Sequence, residues 1–139
     1  METFDPWQEL ARFQEQRLGQ GGKYGATAVF VGTMRDFNQG EEVQHLTLEH
    51  YPGMTERYLE QLRAQGLERW PLLDAHILHR VGEIGPNEPI VLVAAWSAHR
   101  AEAFEACRWL MEELKSRAPF WKRETTRQGT RWVEQNTPG

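Results

Sequence analysis

The 139-residue sequence predicts an α+β fold with a mainly antiparallel sheet and flanking helices. Three observations predict it. β-Branched or alternating runs come in consecutive pairs, at 26–31 with 44–50 and at 72–84 with 89–96. Stretches of helical apolar spacing stand before, between and after those pairs. The strict strand–helix alternation of a parallel sheet is therefore missing. The predicted order is helix, strand, strand, helix, strand, strand, helix and a short C-terminal segment, and the length suits one domain spanning 1–139.

Each element has its own signal. Asp5-Pro6-Trp7-Gln8 reads as a helix start, with Asp5 as N-cap, Pro6 at the first helical position and Gln8 closing a capping box. Trp7, Leu10, Ala11 and Leu18 give it one apolar face, and "GQGGKYG" at 19–25 ends it. "ATAVFV" at 26–31 reads as a buried strand. "MRDFNQGEE" at 34–42 is polar, with Asn38 and Gly40 as turn formers, and reads as a mobile loop.

"QHLTLEH" at 44–50 alternates Leu46 and Leu48 against His45, Thr47 and Glu49, the pattern of a half-buried strand. "YPGMT" turns the chain, and Thr55 is the expected cap of a helix carrying Tyr58, Leu59 and Leu62. Residues 72–84 and 89–96 read as strands joined by Gly85-Pro86-Asn87. Ser97 is the expected cap of the last helix, whose apolar stripe is Phe104, Cys107, Met111 and Leu114. Pro119 stops that helix, because the residue before a proline avoids the α region.

Composition narrows the function. The formal charge of −4 argues against general nucleic-acid binding, which needs a basic face. The longest apolar run, "IVLVAAW", is too short to span a bilayer. The N-terminus lacks the basic-then-apolar pattern of a signal peptide. A single cysteine, Cys107, forms no internal disulfide and fits a reducing cytoplasm.

His76 and His79, three apart on a strand, point to opposite faces, so no metal site is expected. "GQGGK" lacks phosphate-loop spacing and precedes a strand, so it reads as a connector. Cys107 sits in an apolar stripe, where a thiol acts as a small hydrophobe.

What remains is a set of cations. Between His99 and Arg131 lie eight of the sixteen lysines and arginines against five acids. The C-terminal third of an acidic chain is thus locally basic. Arg100, in the first turn of a helix, faces the positive end of the dipole, which a nearby anion would relieve. Lys115 ends that helix, where the dipole favours a cation by ~0.3–1 kcal/mol. Lys122 and Arg123 follow the Pro119 break, beside Phe120 and Trp121. Crowded lysines have lowered pKa values and can act as proton shuttles or nucleophiles. These residues suggest a pocket for a planar anionic small molecule, phosphate favoured, with two working lysines.

The segments "GATAVFVGTMRDFNQGEEVQHLTLEHYPGMTE" (25–56), "HRVGEIGPNEPIVLVAAWSAHRAEAFEACRWLMEELKSRAPFWKRE" (79–124) and "GTRWVE" (129–134) resemble the large, catalytic subunit family of molybdopterin synthase. "LEHYPGM", "SAHR" and "RAPFWKRE" are the most specific parts. The resemblance implies an α/β hammerhead-like fold. It also implies transfer of sulfur to cyclic pyranopterin monophosphate (precursor Z), forming the dithiolene of molybdopterin. The sulfur would come from the C-terminal Gly-Gly thiocarboxylate of a small ubiquitin-like carrier subunit. A cytoplasmic homodimer within a heterotetramer is implied, with no metal or separate cofactor.

By position, the resemblance puts substrate contacts on Thr33, Met34, Arg35, His99, Arg100, Lys115, Lys122, Arg123 and Glu124. Phe30 and Met111 would shape the pocket. Lys115 is the implied main catalytic lysine, in acid–base chemistry or transient acyl capture, and Lys122 assists by stabilising developing negative charge. Glu124 either orients a lysine or forms a plain surface ion pair. The resemblance also implies a pocket shared across the dimer, so His99 and Arg100 would serve the partner chain's lysines. Thr33 stands where some relatives carry lysine, and the chain ends at "QNTPG" where many continue with basic residues. The alternative is a non-catalytic module that binds a phosphorylated small molecule or an acidic peptide tail.

Overall fold

The computed structural model describes residues 3–19, 21–35, 37–38, 41–50, 53–117, 120–126 and 129–132, with backbone alone at 37–38, 41–44, 50 and 120–123. Asp5 caps α1 (Pro6–Phe13) as expected, its Oδ1 accepting from the Trp7 and Gln8 amides at 3.0 and 3.3 Å. The face of α1 differs from expectation. Trp7 is exposed, while Phe4 and Pro6 are buried and Phe13 stacks on His76 and Trp96 at 4.1 and 5.1 Å. One π-helical turn, Gln14–Leu18, follows and ends at Gly19, whose φ of 58° suits glycine.

A three-stranded antiparallel sheet has the order β1 (Ala26–Thr33), β6 (Pro89–Ser97), β4 (Leu72–His79). β6 is the central strand and is buried on both faces from Val91 to Ser97. Its odd-numbered face, Val91, Val93 and Ala95, packs with Ala103, Ala106, Cys107, Leu110, Met111 and Leu114 of α3 (Arg100–Arg117) and with Leu62 of α2 (Met54–Arg69). Trp96, on the opposite face, stacks on Phe13, and its Nε1 donates to Gln14 Oε1 at 3.0 Å. β1 is an edge strand with only Ala28 buried, not the buried strand its β-branched run suggests. The buried face of α3 is built from alanines, Leu110, Cys107, Met111 and Leu114; Phe104 lies outside it and is 66% exposed.

The second sheet has β3 (Glu41–His50) between β7 (Phe120–Thr126) on one side and β2 (Phe37–Asn38) and β5 (Gly82–Ile84) on the other, with β8 (Gly129–Trp132) beyond β7. Several expectations change here. The expected loop 34–42 contains β2, paired with the start of β3. The expected strand 72–84 breaks after His79, and β5 joins the other sheet; the turn at Gly82, with φ of 86°, redirects the chain. The short C-terminal segment is a hairpin of β7 and β8. α2 starts from Gly53, whose N–H donates to Glu56 Oε2 at 2.9 Å; Thr55 is inside the helix and buried, so it is not the cap. Met34, Leu48 and Ile84 form a small second core between the sheets' connections.

Candidate active site

Lys115 stands in the last turn of α3, one residue after buried Leu114 and four after buried Met111, so its stem lies along the edge of the buried face. Burial, and then the Arg35 guanidinium, push its ammonium below the ordinary lysine range, with Glu112 opposing them. The helix dipole at this end favours the charged form, yet the net direction is down. The lysine is thus shifted toward the neutral amine that proton transfer or acyl capture requires.

Arg35 follows β1 and is exposed. A register shift between Gly32 and Thr33 re-aims the chain there, and Thr33 is also exposed. Gly32 is needed at this bend, since a Cβ would come within 2.7 Å of Val91 Cγ1. Met34 is different. Its side chain is 4% exposed in the second core, its N–H donates to the Glu88 carbonyl at 3.0 Å, and its carbonyl accepts from Asn87 N–H at 2.9 Å. Met34 therefore anchors Thr33 and Arg35 and has no side-chain surface for a ligand. Met111 is likewise in the main core, whereas Phe30 is 40% exposed.

Across the second sheet, Lys122 pairs in register with Leu48, Arg123 with Thr47 and Glu124 with Leu46. The side chains of Phe120, Trp121, Lys122 and Arg123 lie outside the described residues, as do the Pro119 break, the Tyr51-Pro52 turn, Gly40 and the "QNTPG" end. Glu124 is 5% exposed, so the expected surface pair is a buried one. Its Oε2 accepts from Arg131 Nε and Nη2, both at 3.2 Å, directly across the β7–β8 hairpin. Arg131 is a residue that the sequence reading missed. Reading 120–132 as a hairpin around Gly129 would have set it opposite Glu124.

His99 and Arg100 are exposed at the other end of α3. Ser97, buried at the end of β6, accepts from His99 N–H at 3.4 Å, but the helix begins only at Arg100, so Ser97 holds the preceding turn and is not the cap. Arg100 and Lys115 are fifteen positions apart on one helix, or roughly 22 Å at 1.5 Å per residue. One chain does not bring both to a single small ligand.

Cys107 is buried beneath β6, its Sγ 3.6 Å from the Val93 carbonyl, and burial pushes the thiol up to about 11. It is a core residue. His76 lies against Phe13 and His79 Nδ1 lies 2.7 Å from the Arg80 carbonyl, so the two rings serve different surroundings. A shallow apolar groove of about 600 Å³ lies elsewhere on α3, lined by Trp70, Phe104 and Trp109 with Glu105, Arg108 and Glu112; none of the expected site residues lines it.

Known proteins resemble this chain over most of its length. The family model described as MoaE protein matches residues 3–117. The molybdopterin synthase catalytic subunit of Pseudomonas aeruginosa is 54% identical over 132 residues, 95% of this chain and 85% of that protein. That of Escherichia coli is 50% identical over 117 residues, 84% of this chain and 78% of that protein. Among solved structures, molybdopterin synthase from Staphylococcus aureus matches with a TM-score of 0.84 at 29% identity, covering 97% of this chain and 94% of that one. The molybdopterin biosynthesis MoaE protein from Burkholderia ambifaria matches at 0.78 with 44% identity, over 100% and 88%. The chain belongs to the MoaE protein family.

Proposed function

We propose that this chain is the catalytic subunit of a molybdopterin synthase and a sulfurtransferase. It moves sulfur from the C-terminal thiocarboxylate of a small ubiquitin-like carrier subunit to cyclic pyranopterin monophosphate. The names of the curated relatives, at 50–54% identity over most of the chain, support the reading. The observation that carries it is the half-buried Lys115 amine, held below the ordinary lysine range by burial and Arg35. A module that only binds an anion gains from fully charged cations and has no use for a lysine shifted toward neutrality.

In this reading the carrier's sulfur bonds to a carbon of the pterin side chain, and a carbon–oxygen bond at that carbon breaks, the oxygen leaving as water or staying on the phosphate. The bond from that sulfur to the carrier's acyl carbon is then cut, by water with Lys115 moving a proton or by the Lys115 amine itself. The carrier leaves as a carboxylate, directly or after hydrolysis of the acyl-lysine. Lys122, on the strand paired with β3, stabilises negative charge on the reacting groups. Arg35 and Thr33 bind the anionic substrate beside Lys115, while His99, Arg100 and Arg123 complete the site and buried Glu124, paired with Arg131, supports it from beneath. Phe30 forms part of its wall.

Because Arg100 and Lys115 are roughly 22 Å apart within one chain, the pocket combines α3 ends from two copies of a single-domain protomer. One carrier subunit docks per pocket, in the cytoplasm, where Cys107 stays reduced.

The test is a sulfur-transfer assay with purified protein, precursor Z and thiocarboxylated carrier, reading the dithiolene product as its oxidised fluorescent derivative. Product with wild type and almost none with Lys115→Ala is the expected result. Carrier binding without product from wild type would leave a docking protein and sink the enzymatic reading.

A further inference from the structure

The turn between β5 and β6 is held by an ion pair to which none of the expected site residues belongs. Arg80 lies where the chain leaves the first sheet for the second and is only 9% exposed. Its Nη1 donates to Glu88 Oε2 at 2.5 Å, its Nη2 to the Glu83 carbonyl at 2.8 Å, and its backbone N–H to the Ile90 carbonyl at 2.8 Å. Glu88 Oε1 accepts from the Gly85 N–H at 2.7 Å. The Arg80 hydrogen bond and then the Gly85 amide hold its carboxyl below the ordinary range. The carboxylate lies so close to Gly85 that a Cβ there would be 2.8 Å from Oε1. Asn87, in the same turn, is in the left-handed region at φ 67°.

The other side of this turn grips Met34 by both of its backbone polar groups, through the Glu88 carbonyl and the Asn87 N–H. The Met34 side chain is locked in the second core. Arg80 is buried but the Glu88 carboxylate is 43% exposed, and such an ion pair adds little net stability, so its chief effect is to select one geometry. The geometry selected here is that of the backbone carrying Arg35.

We propose that Arg80 and Glu88 are positioning residues for Arg35. Their ion pair locks the 85–88 turn, the turn fixes Met34, and Met34 sets where the Arg35 guanidinium stands relative to Lys115. Neither residue touches substrate. The catalytic meaning of this clamp rests on the function proposed above; its test does not.

Lys115 feels Arg35 from the end of β1 and Glu112 from its own helix, while Tyr58 of α2 and Arg117 act on each other's surroundings through Glu113. The protein has three lysines, Lys23, Lys115 and Lys122. NMR titration of isotope-labelled lysine side chains, with Lys115→Arg assigning the signal, therefore reads Lys115 without substrate or carrier. Arg35→Gln should raise the Lys115 midpoint toward the ordinary lysine value. Glu88→Ala and Arg80→Lys should raise it too, and Glu88→Ala should add nothing once Arg35 is Gln.

The sign is diagnostic. Loss of the Glu88 charge alone would push Lys115 the other way, and Arg80→Lys changes no charge. Arg80→Lys, which cannot hold Glu88 and Glu83 in one fork, reads the clamp if Glu88→Ala does not fold. An unmoved Lys115 in the clamp variants, an unmoved Lys115 in Arg35→Gln, or an effect of Glu88→Ala that persists without Arg35 would each overturn the proposal. Absence of sulfur transfer by wild type would instead remove the proposed function and leave this result standing.

Discussion

The two ends of α3 carry cations under opposite conditions. At the N-terminal end His99 and Arg100 stand in solvent, beside the positive end of the helix dipole. At the C-terminal end Lys115 is half-buried, beside Arg35, with its proton loosened by burial. An exposed guanidinium is open to bind anions. Burial spends some of a lysine's charge stability and suits it to the reagent's part proposed for Lys115. In the proposed function the same helix offers both parts of the site, at opposite ends, and a second copy brings them together.

The largest effect expected from breaking this contrast is at Lys115. Lys115→Ala should lower sulfur transfer by at least about 100-fold while carrier binding, read by calorimetry, stays near wild type. Arg100→Ala should be milder, on the order of tenfold, and mainly in KM. Mixing is the sharper test. Assayed below KM, co-expressed Lys115→Ala and Arg100→Ala chains should show about a quarter of wild-type activity, because half the dimers are hybrids with one intact pocket each. Activity no higher than the Arg100→Ala chains give by themselves would put both residues to work within one chain.

Smaller effects probe the frame around the lysine end. Arg131→Met leaves Glu124 buried without that partner and should cost on the order of 2 kcal/mol in urea unfolding. That is below the ~3–5 of a fully buried pair, because Arg131 is partly exposed. Glu124→Gln should cost less, since the amide still accepts from Arg131.

The smallest change is Lys115→Met, which should raise the melting temperature slightly at neutral pH. The folded-state pKa of Lys115 is lowered, so the unfolded chain binds its proton more tightly. The cost is fully present below the folded pKa and is relieved as pH rises through it toward 10.5. The Met variant's advantage should shrink across that window, and an advantage that grows with pH would contradict the burial of Lys115.

Much of this arrangement is visible in the residue pattern, and what is not has identifiable causes. The Asp5 cap, the strand at 89–97 and the end of α3 near Arg117 follow from local chemistry. The break of 72–84 does not, since period-two alternation says which face a residue takes but not which sheet it joins; Arg80, Gly82 and the Glu88 clamp decide that. Phe104 and Trp7 fit apolar stripes by spacing, yet alanines take the buried positions of α3 and half-buried Phe13 makes the inward contacts of α1. A small residue permits close helix packing that a large aromatic would block. In the site, Lys115 and Arg35 are readable as cations, but their proximity is a tertiary fact. Met34 reads as a loop residue and is a core anchor. The pairing of Glu124 with Arg131 depends on a hairpin register for which Gly129 is the one local sign.

The burial of Cys107 has a practical consequence. With its thiol raised to about 11, only about one molecule in ten thousand carries the thiolate at neutral pH, and helix and sheet cover it. The wild-type chain is therefore a blank toward thiol-directed reagents. A single cysteine placed at exposed Phe104 or Thr33 would take a fluorophore with almost no background, so each end of α3 can carry its own reporter without first removing a native thiol.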